Sequence, residues 1–168
     1  AEKLIALGGY EAGKVEVKEF PDGERYQRIL TDVEDREVVL IGGTVTDQAT
    51  LELYDLASTL EELGAASLDL VVPYFGYSTM ERAVKPGEVI TAKTRARLLS
   101  AIPRCPRGNK VYLFDLHTEG LPYYFEGYLR AIHAHVQADL AEAYREIDTT
   151  PHNDSKTERI RERIEAKV

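Results

Sequence analysis

The sequence has very little cysteine, no tryptophan and no long apolar run, and each of these shortages excludes a class of protein. Of its 168 residues only Cys105 is a cysteine, so no disulfide can form within the chain. Disulfide-poor chains are typical of reducing compartments, and we therefore expect a cytoplasmic protein. The apolar runs are too short to cross a bilayer and no secretory signal pattern opens the sequence, so we expect no membrane association.

Positive charge is also scarce relative to negative charge. The sequence has 21 lysines and arginines against 29 acidic residues, which gives a formal net charge of −8. Such a chain has no global excess of cations to displace the counterions of nucleic acid, so we do not expect nucleic acid as a partner. A phosphorylated small molecule is compatible with this balance if local cations or a metal neutralise its charge.

The hydrophobic pattern predicts a single α/β domain. Apolar segments with strand character alternate with segments of helical spacing, an order that is typical of a parallel sheet with helices on both faces. The predicted strands are 3–7, 15–20, 37–41, 68–72 and 110–114. The predicted helices begin at Thr46, Thr91 and Tyr128 and end at Gly64, Pro103 and Glu146.

The first predicted helix has clear boundary signals. Thr46 or Asp47 is a suitable N-cap and Gly64 a suitable stop. Its apolar residues recur at three- and four-residue spacing, which predicts one buried face. The predicted inward residues are Leu53, Leu56, Ala57, Leu60 and Leu63.

Residues 110–125, KVYLFDLHTEGLPYYF, change abruptly from apolar to polar after Phe114. Ligands of open α/β sheets bind outside the carboxyl ends of strands. If the extended backbone continues, Asp115 and His117 point to the same side and Leu116 turns into the core. The carboxylate and imidazole could then hold Mg²⁺ or Mn²⁺, or act as an acid/base pair. Equally, Asp115 could cap a turn and His117 be an ordinary exposed histidine.

Two further loops carry polar groups. Residues 20–24, FPDGE, predict a tight turn that places Asp22 and Glu24 beside the ring of Phe20, which suits base stacking or is simply a hairpin. Residues 78–87 follow the aromatic stretch PYFGY and contain Arg82 and Lys85. That length and position suit a lid over a ligand, or a solvated loop. His133 and His135 face different directions on a helix, and we interpret both as structural.

Four ordered segments resemble one family. FPDGE at 20–24, VVPYFGY at 71–77, EVITAKTRARLL at 88–99 and DLH at 115–117 are similar, in order and spacing, to the amino-terminal half of the ribose-phosphate diphosphokinases, or phosphoribosyl pyrophosphate synthetases. The match extends over about residues 14–145. It implies a phosphoribosyltransferase-like (type I) fold and transfer of the diphosphoryl group of ATP to ribose 5-phosphate, with Mg²⁺ as cofactor. It also implies a cytoplasmic homo-oligomer, a dimer or hexamer, that serves nucleotide biosynthesis.

The resemblance also implies a set of site residues. The loop at 20–24 would bind adenine in the ATP site of a neighbouring subunit, and the loop after PYFGY would contact ATP through its retained arginine. His117 would meet the magnesium–ATP complex, with Asp115 beside it, and His117 and Arg82 would be the catalytic residues. The implied ATP-binding residues are Phe20, Asp22, Glu24, Arg82 and His117, and the implied metal ligands are His117 and Asp115.

The sequence departs from the family pattern within the lid. The family usually reads ARQDR where residues 78–82 read STMER, and Thr79 and Met80 supply no guanidinium for phosphate. Nor is the family's sugar-phosphate loop or flexible catalytic lysine segment visible. These differences favour an alternative, a non-catalytic homologue that binds and regulates a synthetase. A phosphoribosyltransferase would require the acidic loop that this sequence lacks.

We expect residues 1–147 to form the amino-terminal synthetase-like domain. Residues 148–152 resemble a late segment of the family's second half, and the tail 148–168 is interpreted as the remnant of a second, mostly absent phosphoribosyltransferase-like domain. We therefore expect that stretches of a longer protein are missing next to Gly9 and Ile147.

Overall fold

A computed structural model of the chain describes residues 9–127 and 129–134, and it contains strands, helices and one short 3₁₀ helix. The elements are β1 (Val15–Glu19), β2 (Arg25–Ile29), β3 (Glu37–Ile41), α1 (Asp47–Glu62), β4 (Ser67–Val72), α2 (Thr91–Ser100), β5 (Asn109–Phe114), the 3₁₀ helix Leu121–Tyr124 and β6 (Leu129–Ala134). β1 and β2 form an antiparallel hairpin. The other four strands form one sheet in the order β3-β4-β5-β6, with every neighbouring pair parallel. The predicted parallel α/β architecture is confirmed.

The hydrophobic core lies between this sheet and the two helices. Because the strands follow one another in chain order and such crossovers are right-handed, α1 and α2 pack on the same face of the sheet. Leu68, Leu70, Val111 and Leu113 point to that face and are completely buried. They form one cluster with Leu53, Ala57, Leu60, Ala92, Ala96 and Leu99 of the helices. Complete burial of one leucine side chain stabilises the fold by roughly 1.5–3 kcal/mol, so this cluster holds the strands in register.

The opposite face of the sheet is only partly covered by the described residues. Asp69, Val71, Tyr112 and Phe114 alternate with the core residues and are half-buried or partly exposed. Together with residues 10–15 they line a cleft of about 630 Å³. The cleft reaches around β3 to Leu56 and Leu60 of α1.

The helix boundaries follow local signals. The Thr46 hydroxyl accepts a hydrogen bond from the Ala49 N–H at 3.0 Å, and Gly64 adopts a φ of 83° just beyond the helix end. The inward prediction for Leu63 is wrong, because the helix ends at Glu62 and Leu63 is 45% exposed. α2 buries Ala92, Ala96 and Leu99 as its spacing predicted. Neither helix in the described part of the chain has the length and hydropathy that a membrane span requires.

The predicted helix beginning at Tyr128 is wrong in its first part. Leu129–Ala134 is a strand that pairs in parallel with all six residues of β5. This pairing satisfies backbone groups along the edge of β5, a long-range gain that overrides the local helical pattern. His133 therefore lies on a strand, and whether it is structural is untested. The predicted strand 3–7, the rest of that predicted helix with His135, and residues 148–168 lie outside the described residues.

Candidate functional site

The loops after β3, β4 and β5 begin side by side at one edge of the sheet. Because the strands are parallel, with Ile41 paired to Val71 and Val72 paired to Leu113, their carboxyl ends reach the same edge. This is the edge at which open α/β sheets bind ligands. The lid that follows PYFGY and the Asp115–His117 segment therefore begin on neighbouring strands.

The first two of these loops are joined through Thr44 and Gly76. Thr44 is almost completely buried, and its hydroxyl oxygen accepts a hydrogen bond from the Gly76 N–H at 2.8 Å. The Thr44 N–H donates to the Tyr74 carbonyl at 3.0 Å. A Cβ at residue 76 would lie 2.0 Å from the Thr44 carbonyl oxygen, a distance that no side chain tolerates. Glycine is therefore required at residue 76 for the two loops to approach this closely.

A second connection is made by Asp47, Tyr77 and Arg95. One carboxylate oxygen of Asp47 accepts hydrogen bonds from the Arg95 guanidinium at 2.6 Å and from the Tyr77 hydroxyl at 3.2 Å. The guanidinium also lies 5.5 Å from the centre of the Tyr77 ring. Tyr77 has a φ of 60°, a conformation that costs energy for a residue with a side chain. These contacts hold Tyr77, which directly precedes the lid, against Asp47 of α1 and Arg95 of α2.

The predicted lid, residues 78–87, is a loop without helix or strand, as expected from its sequence. Its carboxyl end is organised by Glu88, whose carboxylate accepts hydrogen bonds from the N–H groups of Val84 at 2.6 Å and Lys85 at 3.0 Å. These bonds, the one from Lys85 foremost, lower the pKa of Glu88 below its usual value. The Arg82 side chain is 81% exposed, so its guanidinium is accessible to a ligand.

Asp115 and His117 are both exposed in the loop after β5. The argument that they alternate on an extended backbone is wrong, because Asp115 has a φ of 44° and the strand ends at Phe114. Leu116 nevertheless packs against the hydrophobic core as predicted. In the same loop the Thr118 hydroxyl oxygen is buried and has no hydrogen-bond partner among the described residues.

The donor set of this loop suits a metal that is only partly coordinated by protein. Among residues 9–127 and 129–134, no group of three or more histidine, cysteine or acidic side chains is placed to hold a metal ion. Asp115 and His117 can therefore supply at most part of a coordination shell. The Asp115 carboxylate is the kind of oxygen ligand that Mg²⁺ takes, since this ion commonly binds through one or two carboxylates and completes its shell with waters and substrate phosphates.

The loop after β5 also contacts the lid. The chain continues from His117 into the 3₁₀ helix Leu121–Tyr124, and the Tyr124 hydroxyl donates a hydrogen bond to the Glu81 carbonyl at 2.6 Å. Glu81 directly precedes Arg82 in the lid. The segments that carry His117 and Arg82 are therefore connected, although no contact between the two side chains themselves is observed within the described part.

The loop at 20–24 forms the predicted tight turn between β1 and β2. The Phe20 N–H donates to the Glu24 carbonyl at 2.8 Å, and the Glu24 N–H donates to the Asp22 carboxylate at 3.1 Å. The Phe20 ring is 48% exposed and packs against Tyr26 at one edge. No hydrogen bond, ion pair or ring contact of the described residues joins this loop to His117 or Arg82. The adjoining Arg25 pairs with Glu52 of α1, which ties the hairpin to that helix.

Sequence reasoning did not identify the residues that connect the loops. The sequence analysis placed Tyr77 in an aromatic stretch, Arg95 in a helix and Tyr124 in the segment after DLH, and it gave none of them a role. Their partners are 30, 48 and 43 residues away along the chain, so no local pattern indicates them. The one available signal was Gly76, since a glycine directly after a buried strand and aromatic pair often marks close backbone approach.

Comparisons with known proteins agree with this architecture. The family model described as the N-terminal domain of ribose phosphate pyrophosphokinase matches residues 1–102. A ribose-phosphate pyrophosphokinase of Saccharolobus solfataricus is 36% identical over 152 residues, which cover 89% of this chain and 50% of that protein. One of Thermococcus kodakarensis is 34% identical over 145 residues, covering 86% of this chain and 49% of that protein.

A solved structure shows the same fold. The crystal structure of phosphoribosylpyrophosphate synthetase from Mycobacterium smegmatis superimposes with a TM-score of 0.68 at 18% identity, covering 88% of this chain and 49% of that one. The chain thus spans about half the length of these curated relatives. The fold, the matched domain and the two relatives together show that this chain belongs to the ribose-phosphate pyrophosphokinase family and corresponds to its amino-terminal half.

Proposed function

We propose that this chain supplies the ATP-binding half of a ribose-phosphate diphosphokinase, which transfers the diphosphoryl group of ATP to ribose 5-phosphate to give phosphoribosyl pyrophosphate and AMP. The observation that carries the proposal is the meeting of the His117 loop and the Arg82 lid at the carboxyl edge of the sheet, joined by the Tyr124 to Glu81 hydrogen bond. Family membership supports the reaction class. The sugar-phosphate site is assigned to the part of the protein outside the matched half.

The proposed roles follow from the chemistry of each side chain. Asp115 and His117 would hold Mg²⁺ in the complex with ATP, and the metal would neutralise negative charge on the transferred group. Arg82 donates hydrogen bonds to phosphate oxygens from the exposed lid. Diphosphoryl transfer depends mainly on positioning the reactants and neutralising their charge. These exposed polar groups can perform both tasks for the ATP part of the site.

The adenine loop is proposed to act in a neighbouring subunit. Phe20 presents an exposed ring, and Asp22 and Glu24 lie in the same turn to accept hydrogen bonds from an exocyclic amine. The hairpin exposes further apolar side chains, among them Val15 and Val17, which is consistent with a protein interface. In the proposed homo-oligomer this loop completes the ATP site of the partner subunit.

The lid sequence supports one alternative function. Thr79 and Met80 are exposed where the family usually has an arginine and a glutamine, so the lid has one guanidinium fewer for phosphate. A homologue with a weakened ATP site could bind a complete synthetase and regulate it without catalysis. Copurification with an active synthetase, combined with no activity of its own, would select this alternative.

The direct test is to incubate the whole protein with Mg²⁺, ATP and ribose 5-phosphate and to measure AMP that depends on the sugar. We expect His117→Ala to reduce turnover by at least about 100-fold, since metal-centred positioning is lost. Arg82→Ala should raise KM for ATP by about 10-fold or more, the cost of one charge-assisted hydrogen bond. AMP formation independent of ribose 5-phosphate, or full activity of His117→Ala, would contradict the proposal.

A matched control is available for the arginine. Arg107 is also exposed, but it precedes β5 and therefore lies at the amino edge of the sheet, where it pairs with Glu37 at 3.1 Å. Arg107→Ala removes the same charge at the amino edge of the sheet, away from the proposed site. The loss of its exposed ion pair should change stability little. We expect its KM for ATP to equal that of the unchanged protein. An equal rise in KM for both variants would indicate a general charge effect rather than a site.

A further inference from the structure

Tyr124 makes a hydrogen bond whose two ends belong to different loops of the site. Its ring packs against the hydrophobic core, and its hydroxyl donates to the Glu81 carbonyl at 2.6 Å. The Lys93 ammonium lies 5.8 Å from the centre of the same ring. The Tyr124 ring thus contacts the hydrophobic core and Lys93 of α2, and its hydroxyl is bonded to the lid.

The acceptor is a backbone carbonyl directly before Arg82, which makes the bond a constraint on the lid backbone. Within the described part of the chain, most other lid hydrogen bonds are local, from the Met80 N–H to the Tyr77 carbonyl and from two lid N–H groups to Glu88. The Met80 carbonyl also accepts a hydrogen bond from the Ala92 N–H in the first turn of α2. Tyr124 adds a connection of a different kind, because it joins the middle of the lid to the loop that carries His117.

We infer that Tyr124 is a positioning residue that couples the His117 loop to the lid, so that occupation of the His117 loop by magnesium–ATP and closure of Arg82 over the phosphates occur together. The inference rests on the proposed function. Tyr124 is seven residues beyond His117, at the end of the 3₁₀ helix that the same loop forms. A ligand that fixes this loop also fixes the tyrosine hydroxyl, and through it the carbonyl next to Arg82.

The coupling can be measured without following the reaction. Trypsin cleaves after Arg82 in the lid, and the sequence Lys85-Pro86 resists cleavage, so the peptide that ends at Arg82 reports lid opening alone. The rate at this bond is compared with that after Arg107, an exposed arginine at the opposite edge of the sheet. Tyr124→Phe keeps the ring that packs on the core and removes the hydroxyl. Tyr123→Phe is the matched control, because Tyr123 is the neighbouring residue and is 87% exposed.

In the whole protein without ligand we expect Tyr124→Phe to accelerate cleavage after Arg82 by about 2- to 10-fold, the usual effect of one hydrogen bond. Cleavage after Arg107 and the melting temperature should stay unchanged. Magnesium–ATP should protect Arg82 in the unchanged protein and in Tyr123→Phe, and protect it less in Tyr124→Phe. The same variant should raise KM for ATP without an equal loss of kcat.

The two possible failures are distinguishable. If Tyr124→Phe is cleaved after Arg82 at the same rate as the unchanged protein, the inference is overturned, whatever ATP does. If magnesium–ATP fails to protect Arg82 even in the unchanged protein, the proposed function is refuted and with it the coupling of lid to ligand. Faster cleavage of Tyr124→Phe would then show a tether with no role in ATP binding.

Discussion

The Thr44 hydroxyl and the Gly76 N–H are 2.8 Å apart, and this short contact joins the loops after the first two strands of the parallel sheet. Because a Cβ at residue 76 would meet the Thr44 carbonyl oxygen at 2.0 Å, Gly76→Ala must displace one loop. We expect a loss of about 1–3 kcal/mol in the free energy of unfolding, as for other overpacked sites. Thermal unfolding followed by circular dichroism measures it.

Gly13→Ala is the matched control for this substitution. Gly13 has no heavy atom within 4 Å of an added Cβ, so alanine fits without displacement. We expect its free energy of unfolding to change by less than about 0.5 kcal/mol. If both glycine variants unfold at the same temperature, the close approach of the two loops contributes nothing measurable.

The second prediction concerns the core beneath the site. Leu70 is completely buried in the central strand β4, whereas Leu51 on α1 is 50% exposed. Leu70→Ala should cost about 2–5 kcal/mol because it removes buried apolar atoms and leaves a cavity. Leu51→Ala should change stability by less than about 0.5 kcal/mol. Urea titrations of the two variants make the comparison, and equal midpoints would contradict the assigned packing face.

The third prediction is a pH dependence at the carboxyl end of the lid. The backbone N–H groups of Lys85 and Val84 lower the pKa of Glu88 in the folded state. A carboxylate with a lowered folded-state pKa contributes its full stabilisation above the unfolded-state value of about 4.3. That contribution is lost as the pH falls through the lower folded-state pKa, so the lid should loosen only in that acidic range.

Two measurements examine the Glu88 prediction. The carboxyl carbon shift of Glu88 in an NMR titration should show a midpoint below that of a glutamate model peptide. Glu88→Gln should remove the pH dependence of the Val84 and Lys85 amide proton shifts across the same range. A titration midpoint at or above the peptide value would contradict the hydrogen bonds that Glu88 accepts.

The fourth prediction concerns Cys105, the cysteine in the turn before β5. Burial, and secondarily the charge of Glu61, raise the pKa of its thiol, and its surface is completely buried. The reactive thiolate is therefore both rare and inaccessible near neutral pH. A thiol reagent should modify it only after unfolding in guanidinium chloride, at a rate that follows the unfolding transition. Rapid modification of the folded protein would contradict its burial.

The sequence was sufficient to predict the strands and helices whose signals are local. The strand at 37–41 was predicted with its observed bounds, and α1 began and ended where Thr46 and Gly64 indicated. These elements depend on apolar periodicity and capping, which lie within a few residues of each other. The comparisons also confirm the family resemblance that FPDGE, PYFGY and DLH indicated. These motifs could be recognised in the sequence because each one is short and contiguous.

What the sequence did not indicate depends on contacts between distant residues. β6 was predicted as a helix because its local pattern is helical, whereas its strand conformation depends on pairing with the distant β5. The left-handed backbone at Asp115 likewise has no local sequence signal. The hydrogen bonds of Tyr77, Arg95 and Tyr124 join residues that only the tertiary fold brings together. The roles proposed for His117, Arg82 and Phe20 stay predictions, although their exposure makes each accessible to a ligand.

The strand order has a practical consequence for anyone who expresses part of this protein. Both described helices pack on one face of the sheet, and the half-buried Val71 and Phe114 on the other face border the cleft that residues 10–15 also line. Apolar surface of this kind promotes self-association where nothing covers it. Concentration-dependent association should therefore be examined before poor behaviour of an expressed product is attributed to a faulty fold.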